Sequence, residues 1–175
     1  MKKTSLMVGI LVAVFFVGCV GVAQAFTPDV AKYKEEAEDI LAKVTEHHVD
    51  GDKEHLLQES KDLVDLGVKI ANHIAETHPE GAELIHFVVD HVDEMEHMEI
   101  HELEAHWGHL EAATEAGLSI EFDEYGPVIN AVDLVVYAAI VDVALKDYVE
   151  THHEEDLEII KKELTEVLHH LDGLE

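Results

Sequence analysis

The sequence predicts an all-α protein, an antiparallel bundle of four to five helices in which the third helix is long. Three observations lead to this prediction. Apolar residues recur at the three- and four-residue spacing of an amphipathic helix. The three prolines, Pro28, Pro79 and Pro127, each stand where a helix is expected to begin. No segment alternates apolar and polar residues as a strand would.

The first 25 residues have the pattern of a secretory signal peptide. Two lysines precede an apolar run over residues 6–22, and Ala23 and Ala25 form a small-x-small cleavage site. The apolar run is shorter than the roughly 20 residues that span a bilayer. We therefore expect a cleaved signal over 1–25 and one helical-bundle domain over 26–175. The protein would be periplasmic or secreted, with no integral membrane segment after cleavage.

Cys19 offers an alternative processing site. Phe16-Val17-Gly18-Cys19 resembles a lipobox, in which the cysteine is lipidated and becomes the mature N-terminus. It is also the single cysteine of the chain. Cleavage after residue 25 would leave no disulfide and no thiol ligand, so soft metal binding would depend on histidine and methionine.

The first two helices are expected to form a hairpin. The first begins at Thr27-Pro28-Asp29 and ends before Asp50-Gly51-Asp52. Its buried stripe is predicted to be Val30, Tyr33, Ala37, Ile40 and Val44. The second runs over about 53–76, with Leu57, Val64, Ile70 and Ile74 facing inward.

The third helix is expected to start near Pro79-Glu80-Gly81 and to be long, because Gly108 is the only helix breaker between Gly81 and Gly117. A connection over 118–127 leads to a fourth helix over 128–149. This helix is apolar nearly all round, which predicts the most buried element of the fold. A capping box at Thr151 and Glu154 would open the fifth helix, whose predicted buried stripe is Leu157, Ile160, Leu164, Val167 and Leu171.

Asp133 lies with Asn130 and Tyr137 along one line of the fourth helix. A carboxylate buried there needs a partner. We expect Lys69 or a histidine of the third helix to supply it, as a polar contact within the core rather than a catalytic acid.

The chain is strongly acidic, and this restricts its partners. It has 39 aspartates and glutamates, 11 lysines and no arginine, with a net charge of −28. Removal of the signal peptide would leave 9 lysines and a net charge of −30. Such a chain repels nucleic-acid phosphates and anionic lipids, so nucleic acid is excluded and cations or basic proteins are favoured. A protein partner and a homo-oligomer both stay open.

The chain has fifteen histidines and no arginine. A soluble surface does not need so many histidines, which indicates that they have a function as a set. On a continuous third helix, two faces would carry metal ligands at three- and four-residue steps. One face would present Glu83, His86, Asp90, Glu94, His97, His101 and Glu104, and the other His91, Met95, Met98, Glu102, His106 and His109. Thioether with imidazole favours copper, while imidazole and carboxylate also suit zinc or nickel.

Two histidine pairs follow similar segments, since Val44–His48 resembles Val149–His153. His47, His48, His152 and His153 are therefore further metal candidates, although a histidine near a helix C-terminus also simply complements the helix dipole. In an alternating bundle, one end would gather His47, His48, His55, His106, His109, His169 and His170. The other end would gather His73, His78, His86, His152 and His153.

The sequence favours binding over catalysis. Ser60 and Ser119 are the only serines after residue 25, neither in a nucleophile motif, and the chain has no phosphate-binding glycine loop or haem-attachment motif. We therefore expect no enzyme. One alternative is a ferritin-like di-metal protein, because Glu-x-x-His occurs four times. Another is a structural or interaction bundle with pH-responsive histidines.

The segment from Gly51 to Lys61, together with the histidine spacing of the third helix, resembles the small periplasmic metal-binding proteins of nitrifying bacteria. The resemblance implies a bundle of histidine-bearing helices that buffers or scavenges copper or similar ions. The second helix departs from that family in lacking dense histidine heptads. The residues lead to the same hypothesis, an exported acidic protein that binds copper, nickel or zinc for buffering, scavenging or delivery.

Overall fold

The computed structural model describes residues 19–123, 126–171 and 174, with side chains from residue 28 onward. Residues 1–18 of the predicted signal peptide lie outside the described residues, so the signal peptide and the lipidation of Cys19 stay predictions. All regular structure in the described part is helical, and the predicted all-α class is confirmed.

Four long helices make up the body of the fold: α1 (Cys19–Thr45), α2 (Val49–Thr77), α7 (Pro127–Thr151) and α8 (Glu154–Leu171). Four short helices connect α2 to α7: α3 (Ala82–Asp90), α4 (Val92–Met95), α5 (Ile100–Trp107) and α6 (Glu111–Glu115). The first helix begins earlier than the predicted Thr27 and includes Pro28, because the apolar residues before it continue the helix.

The long helices pack as an antiparallel set. α7 lies between α2 and α8, and α1 contacts the same two helices from the far side. Three contacts set the direction of α7 against α2. Gly81, four residues after the end of α2, approaches Val128, Ser60 meets Asp142, and Asp50 at the start of α2 lies near His152. The chain therefore alternates up and down through α1, α2, α7 and α8.

The predicted apolar stripes of α1 and α8 are buried throughout, and α7 is the most buried helix, as its composition predicts. In α2, Leu56 takes the fully buried position and Leu57 is only partly buried. Each large apolar side chain buried this way contributes about 1.5–3 kcal/mol. Of the described helices, α7 alone is long and apolar enough to cross a membrane, and 78% of its most apolar window is buried inside the protein. The bundle thus uses α7 as its core helix.

Polar groups on α7 have partners on its neighbours. Ser60 Oγ donates a hydrogen bond to Asp142 Oδ1 at 2.8 Å, and Tyr33 OH donates to the carbonyl of Leu134 at 2.8 Å. Asp142 also forms an ion pair with Lys146. A buried polar group without a partner destabilises the fold, so these contacts fix one register between α7 and the helices around it.

The partner of Asp133 is not the one predicted. His170 of α8 places Nε2 3.4 Å from Asp133 Oδ2 and Nδ1 2.8 Å from Asn130 Oδ1. Lys69 pairs with Asp29 instead, at 2.7 Å. The antiparallel packing of α8 explains the difference, because it brings the last turn of α8 beside the first turn of α7.

The prediction of a long third helix is wrong, because residues 79–117 form four short helices. His91 leaves helical geometry between α3 and α4, Glu99 is extended before α5, and Leu110 is left-handed before α6. Two histidine rings bond backbone carbonyls four residues earlier, His91 to Phe87 and His97 to Asp93, each at 2.6 Å. Side chains that bond nearby carbonyls compete with the helical ladder, which accounts for breaks at these positions.

The breaks also reverse the predicted ends of the bundle. Because the short helices do not carry the chain across the bundle, α7 begins at the end where α2 stops. His152 therefore lies beside Asp50, at the end that holds His47 and His48. His170 lies at the opposite end, beside Asn130.

The turns also differ from the predictions. Asp50-Gly51-Asp52, which was expected to stop the first helix, lies inside α2, and the break between α1 and α2 occurs at His47, which has a left-handed φ of 57°. Thr151 is the last residue of α7, where its hydroxyl donates to Asp147 O and accepts from the backbone of His153. It therefore closes α7 rather than forming the predicted capping box with Glu154.

The close approach of α2 and α7 generates a stability prediction. A Cβ added at Gly67 would lie 2.9 Å from the carbonyl oxygen of Leu134. Gly67→Ala should destabilise the protein, because overpacking costs about 1–3 kcal/mol and alanine returns about 1 kcal/mol of helix propensity. Urea denaturation measures the change. Gly51→Ala, where nothing lies within 4 Å, should be neutral or stabilising, and equal stability of the two variants would contradict the close packing.

The buried pair at the end of α8 generates a second prediction. Asp133→Asn should lower the free energy of unfolding by about 1–3 kcal/mol, because it removes the carboxylate facing the buried ring of His170. Thermal denaturation at neutral pH would measure the loss. The exposed Asp65 of α2 gives a matched control, and an Asp133→Asn protein as stable as Asp65→Asn would exclude a stabilising role for the pair.

Candidate metal site

The predicted ligand stripes of the third helix do not form, because their residues lie on separate short segments. His86 and Asp90 are on α3, Glu94 is on α4 and His101 is on α5, and all four are exposed. His97 lies in the turn after α4, so His97 and His101 are not one helical turn apart on a common face. The continuous helical face that was expected to place these two rings side by side is therefore absent, and chelation by the pair stays a prediction.

The second stripe is divided between core and surface. Met95 is fully buried and Met98 packs partly buried against the core. The ring of His91 lies 4.4 Å from that of Phe87 and 5.4 Å from that of Trp107, so it belongs to an aromatic cluster. Burial keeps the sulfur of Met95 away from the surface imidazoles, so the two methionines do not share one exposed face with these histidines.

Two other candidates of that stripe lie near the end of α5. His106 is half-buried with its ring edge-on to Trp107, at 6.0 Å. His109 is exposed, after the end of α5, and lines a groove against α7 and α8. The contact of His106 is structural, whereas His109 stays accessible to a ligand.

The two histidine pairs come from different hairpins to the same end of the bundle. His47, His48, His152 and His153 are all exposed. His48 Nδ1 lies 3.2 Å from Glu46, and His152 Nδ1 lies 3.7 Å from Asp50. These contacts pair His48 and His152 with one carboxylate each, and within the described residues no group of three close ligand atoms includes any of the four rings.

One cluster does bring ligand atoms together. Within the described residues, Asp39, His55 and Glu59 form the one group of three such side chains whose ligand atoms all lie within 4.8 Å of one another. Asp39 comes from α1, while His55 and Glu59 are one turn apart on α2. His55 Nε2 lies 3.2 Å from Glu59 Oε1. Ligand atoms around one zinc or copper ion stand about 3–4 Å apart, so small side-chain movements would complete the set.

Lys43 of α1 occupies the middle of this cluster. Its ammonium lies 2.7 Å from Asp39, 3.0 Å from Asp52 and 3.6 Å from Glu59. Three carboxylates thus share one lysine, which leaves an excess of negative charge. The cluster lines a groove of about 720 Å³ between α1 and α2, whose wall includes four further charged residues, Lys32, Glu35, Glu36 and Glu38.

The titration of the cluster follows from this geometry. Desolvation acts to lower the pKa of Lys43, but hydrogen bonds to Asp39 and Asp52 and the charge of Glu59 outweigh it, and the pKa is raised. Burial raises the pKa of Glu59, against the attraction of Lys43. The hydrogen bond from Lys43 lowers the pKa of Asp52. Lys43 therefore stays charged and acts as the counter-ion of the cluster at neutral pH.

Sequence reasoning did not select Asp39, His55 and Glu59 as ligands. A signal for two of them was present, because His55 and Glu59 stand four apart on a helix and so share a face. Both lie in the Gly51–Lys61 segment that carries the family resemblance. The third ligand required the α1–α2 hairpin, whose register the sequence does not specify.

The four Glu-x-x-His pairs give no support to an interior di-metal centre. Their members are Glu83 and His86, Glu94 and His97, Glu150 and His153, and Glu166 and His169. All eight residues are exposed. A ferritin-like centre needs such pairs to project into the bundle, and the interior here is filled by the apolar side chains of α7.

Comparison of the chain with known protein families, with curated proteins and with solved structures finds no match. The resemblance to the metal-binding proteins of nitrifying bacteria thus stays a prediction.

Proposed function

We propose that this protein is an exported, acidic, non-enzymatic metal-binding protein that buffers, scavenges or delivers transition metal ions in the periplasm. The observation that carries the proposal is the cluster of Asp39, His55 and Glu59 in the α1–α2 groove. One imidazole and two carboxylates from adjacent helices are a ligand set for a divalent first-row metal.

The ligand chemistry favours copper(II), followed by nickel and zinc. Nitrogen and oxygen ligands bind copper(II) most tightly among the divalent first-row ions. Copper(I) prefers thioethers, and the sulfur of Met95 is buried in the core. An open groove lined by exposed side chains suits reversible exchange of the ion with solvent or with a partner.

The charge of the whole chain supports the same function. With 39 acids against 11 lysines, the protein attracts cations from solution and raises their concentration at its surface. Lys43 competes directly with an incoming ion for Asp39 and Glu59. This competition would keep affinity moderate, as a buffering or delivery protein requires.

Metal titration of the purified, metal-stripped protein tests the proposal. Calorimetry near neutral pH with Cu(II), Ni(II) and Zn(II) should show binding that His55→Ala weakens about tenfold or more, because a ligand is lost. Lys43→Met should strengthen binding, because the competing ammonium is removed. If Lys43 had only a structural role, Lys43→Met would weaken metal binding, because loss of the ion pairs would disorder the groove.

His86→Ala is the matched control, because it removes an exposed histidine outside the cluster. It should leave this affinity unchanged. A wild-type protein that takes up none of the three ions would overturn the proposed function. The histidines would then be interpreted as pH-responsive groups of a structural bundle.

Binding at this site should weaken on acidification. A neutral imidazole binds metal and an imidazolium does not, and imidazoles ordinarily take up a proton near about pH 6.5. The pKa of Glu59 is raised by burial, so its proton begins to compete with the metal at a higher pH than for an exposed glutamate. Titrations from pH 7 to pH 5 should show falling affinity in the wild type.

Glu59→Gln gives the comparison for this pH dependence. It should bind more weakly at pH 7, because an amide is a poorer ligand than a carboxylate, and its affinity should change less steeply with pH. A wild-type affinity that does not change between pH 7 and pH 5 would exclude binding through His55.

A further inference from the structure

The end of α8 carries a buried histidine that has a polar contact at each of its ring nitrogens. Nδ1 of His170 lies 2.8 Å from Asn130 Oδ1, and Nε2 lies 3.4 Å from Asp133 Oδ2. All three residues are buried. Both ring nitrogens therefore face oxygen atoms of α7 in a place that is largely shielded from water.

These contacts determine how many hydrogens the ring carries. An amide oxygen only accepts hydrogen bonds, so Nδ1 of His170 donates to Asn130. In a neutral ring with its hydrogen on Nδ1, the other nitrogen presents a lone pair. Here that lone pair would face the carboxylate of Asp133 at 3.4 Å. A second hydrogen on Nε2 replaces this repulsion with an ion pair.

The second hydrogen belongs on the ring rather than on the carboxyl group. Imidazole is the stronger base, with an ordinary pKa of about 6.5 against about 3.9 for aspartate. Burial by itself disfavours an imidazolium, but a carboxylate within about 4–6 Å favours it. The pair of His170 and Asp133 is neutral as a whole, so its burial leaves no unbalanced charge in the core.

Other groups of the α7–α8 hairpin surround the ring without supplying a competing cation in the core. The ring of Tyr137 on α7 lies 5.9 Å from that of His170. The ring of His169 lies 6.3 Å away, and His169 is exposed. Glu166, one turn earlier on α8, is also exposed. Asp133 is thus the buried charge that faces His170 from this hairpin.

The helices on the far side contribute one phenol and one ion pair. Burial, and then the charge of Asp133, raises the pKa of Tyr33 on α1 well above its usual value, so its hydroxyl stays neutral. Lys69 of α2 pairs with Asp29 of α1 at 2.7 Å. Neither feature supplies Asp133 with a cation in place of His170.

We propose that His170, Asp133 and Asn130 form a pH-sensitive switch, which holds the end of α8 on α7 while His170 is a buried imidazolium and releases it when the ring loses a proton. Deprotonation returns the lone pair of Nε2 to face the carboxylate and leaves Asp133 buried without its cation. The last turn of α8, which includes the buried Leu171, then loosens from α7. The switch is independent of metal binding.

The sign of the pH dependence follows from the ion pair. A histidine bound to a carboxylate keeps its proton to a higher pH in the folded protein than in the unfolded chain. Such a group stabilises the fold fully below its unfolded pKa of about 6.5, and the stabilisation is lost as the pH rises through the folded pKa. The end of α8 should therefore be held at pH 6 and loosen at alkaline pH. Metal binding through His55 has the opposite sign, because acid weakens it.

Nitrogen NMR of the wild-type protein tests the protonation state directly. The two ring nitrogens of an imidazolium have similar ¹⁵N shifts, whereas those of a neutral ring differ widely. At pH 7 the signals of His170, assigned by their absence in His170→Gln, should be similar. If Asn130 instead turned its NH₂ group towards Nδ1, the ring would be neutral with its hydrogen on Nε2. Widely separated signals would thus overturn the proposal.

Hydrogen exchange tests the release of the helix end. After correction for the intrinsic exchange rate, protection of the amides in the last turn of α8 should fall about tenfold or more between pH 6 and pH 9, since one pKa unit corresponds to a factor of ten. Asp133→Asn should be less protected at pH 6 and show no such fall, because a buried ring without a counter-charge stays neutral. Unchanged protection in the wild type would overturn the switch.

His169→Gln is the matched control, because it removes the exposed neighbouring imidazole. It should keep the wild-type fall in protection. If the fall disappears in His169→Gln, the pH response belongs to His169 and the proposal is wrong. Both experiments use metal-stripped protein, so they give the same answer whether or not the groove between α1 and α2 binds metal.

Discussion

The burial of α7 is the constraint on which the rest of the structure depends. This helix is apolar on nearly every side and must be covered all round, which places α2 and α8 against it, with α1 packed across both and reaching α7 through Tyr33. The few polar groups of α7 then select one packing of the neighbouring helices among the many that would bury its apolar surface. Asp142 requires Ser60, and Asp133 requires His170. Apolar area supplies the stability, and these pairings supply the register.

The same register creates the grooves. With no arginine and few lysines, the chain cannot neutralise its carboxylates one by one. Where the packing of two helices brings acids together, a single lysine pairs with more than one of them, as Lys43 and Lys162 do. Such a lysine is a cation held in place by the chain. A divalent metal ion that also binds a nearby imidazole attracts the same carboxylate oxygens more strongly than the ammonium does. Shortage of positive charge thus connects the stability of the bundle to its proposed ability to bind metal.

The histidines divide into groups with different roles, and their sequence spacing does not distinguish them. His91 and His106 contact Trp107 in the core, and His170 is buried at the end of α8. His55 and His101 border carboxylates in open grooves. Composition marks the histidines as numerous, while the interior or surface position of each ring depends on packing against helices distant in sequence.

By itself the sequence determined the all-α class, the buried stripes of α1 and α8, the central position of α7 and the acidic surface, because each follows from local periodicity or from composition. Only the tertiary structure decided that residues 79–117 break into short helices and that α7 therefore starts where α2 ends. The antiparallel packing of α8 on α7 brings His170 beside Asp133, whereas that reversal of direction brings His152 beside Asp50. It also sets which carboxylates share Lys162. The physical reason is that such pairs join groups far apart in the chain, and their meeting depends on the path and register of helices that no local pattern encodes.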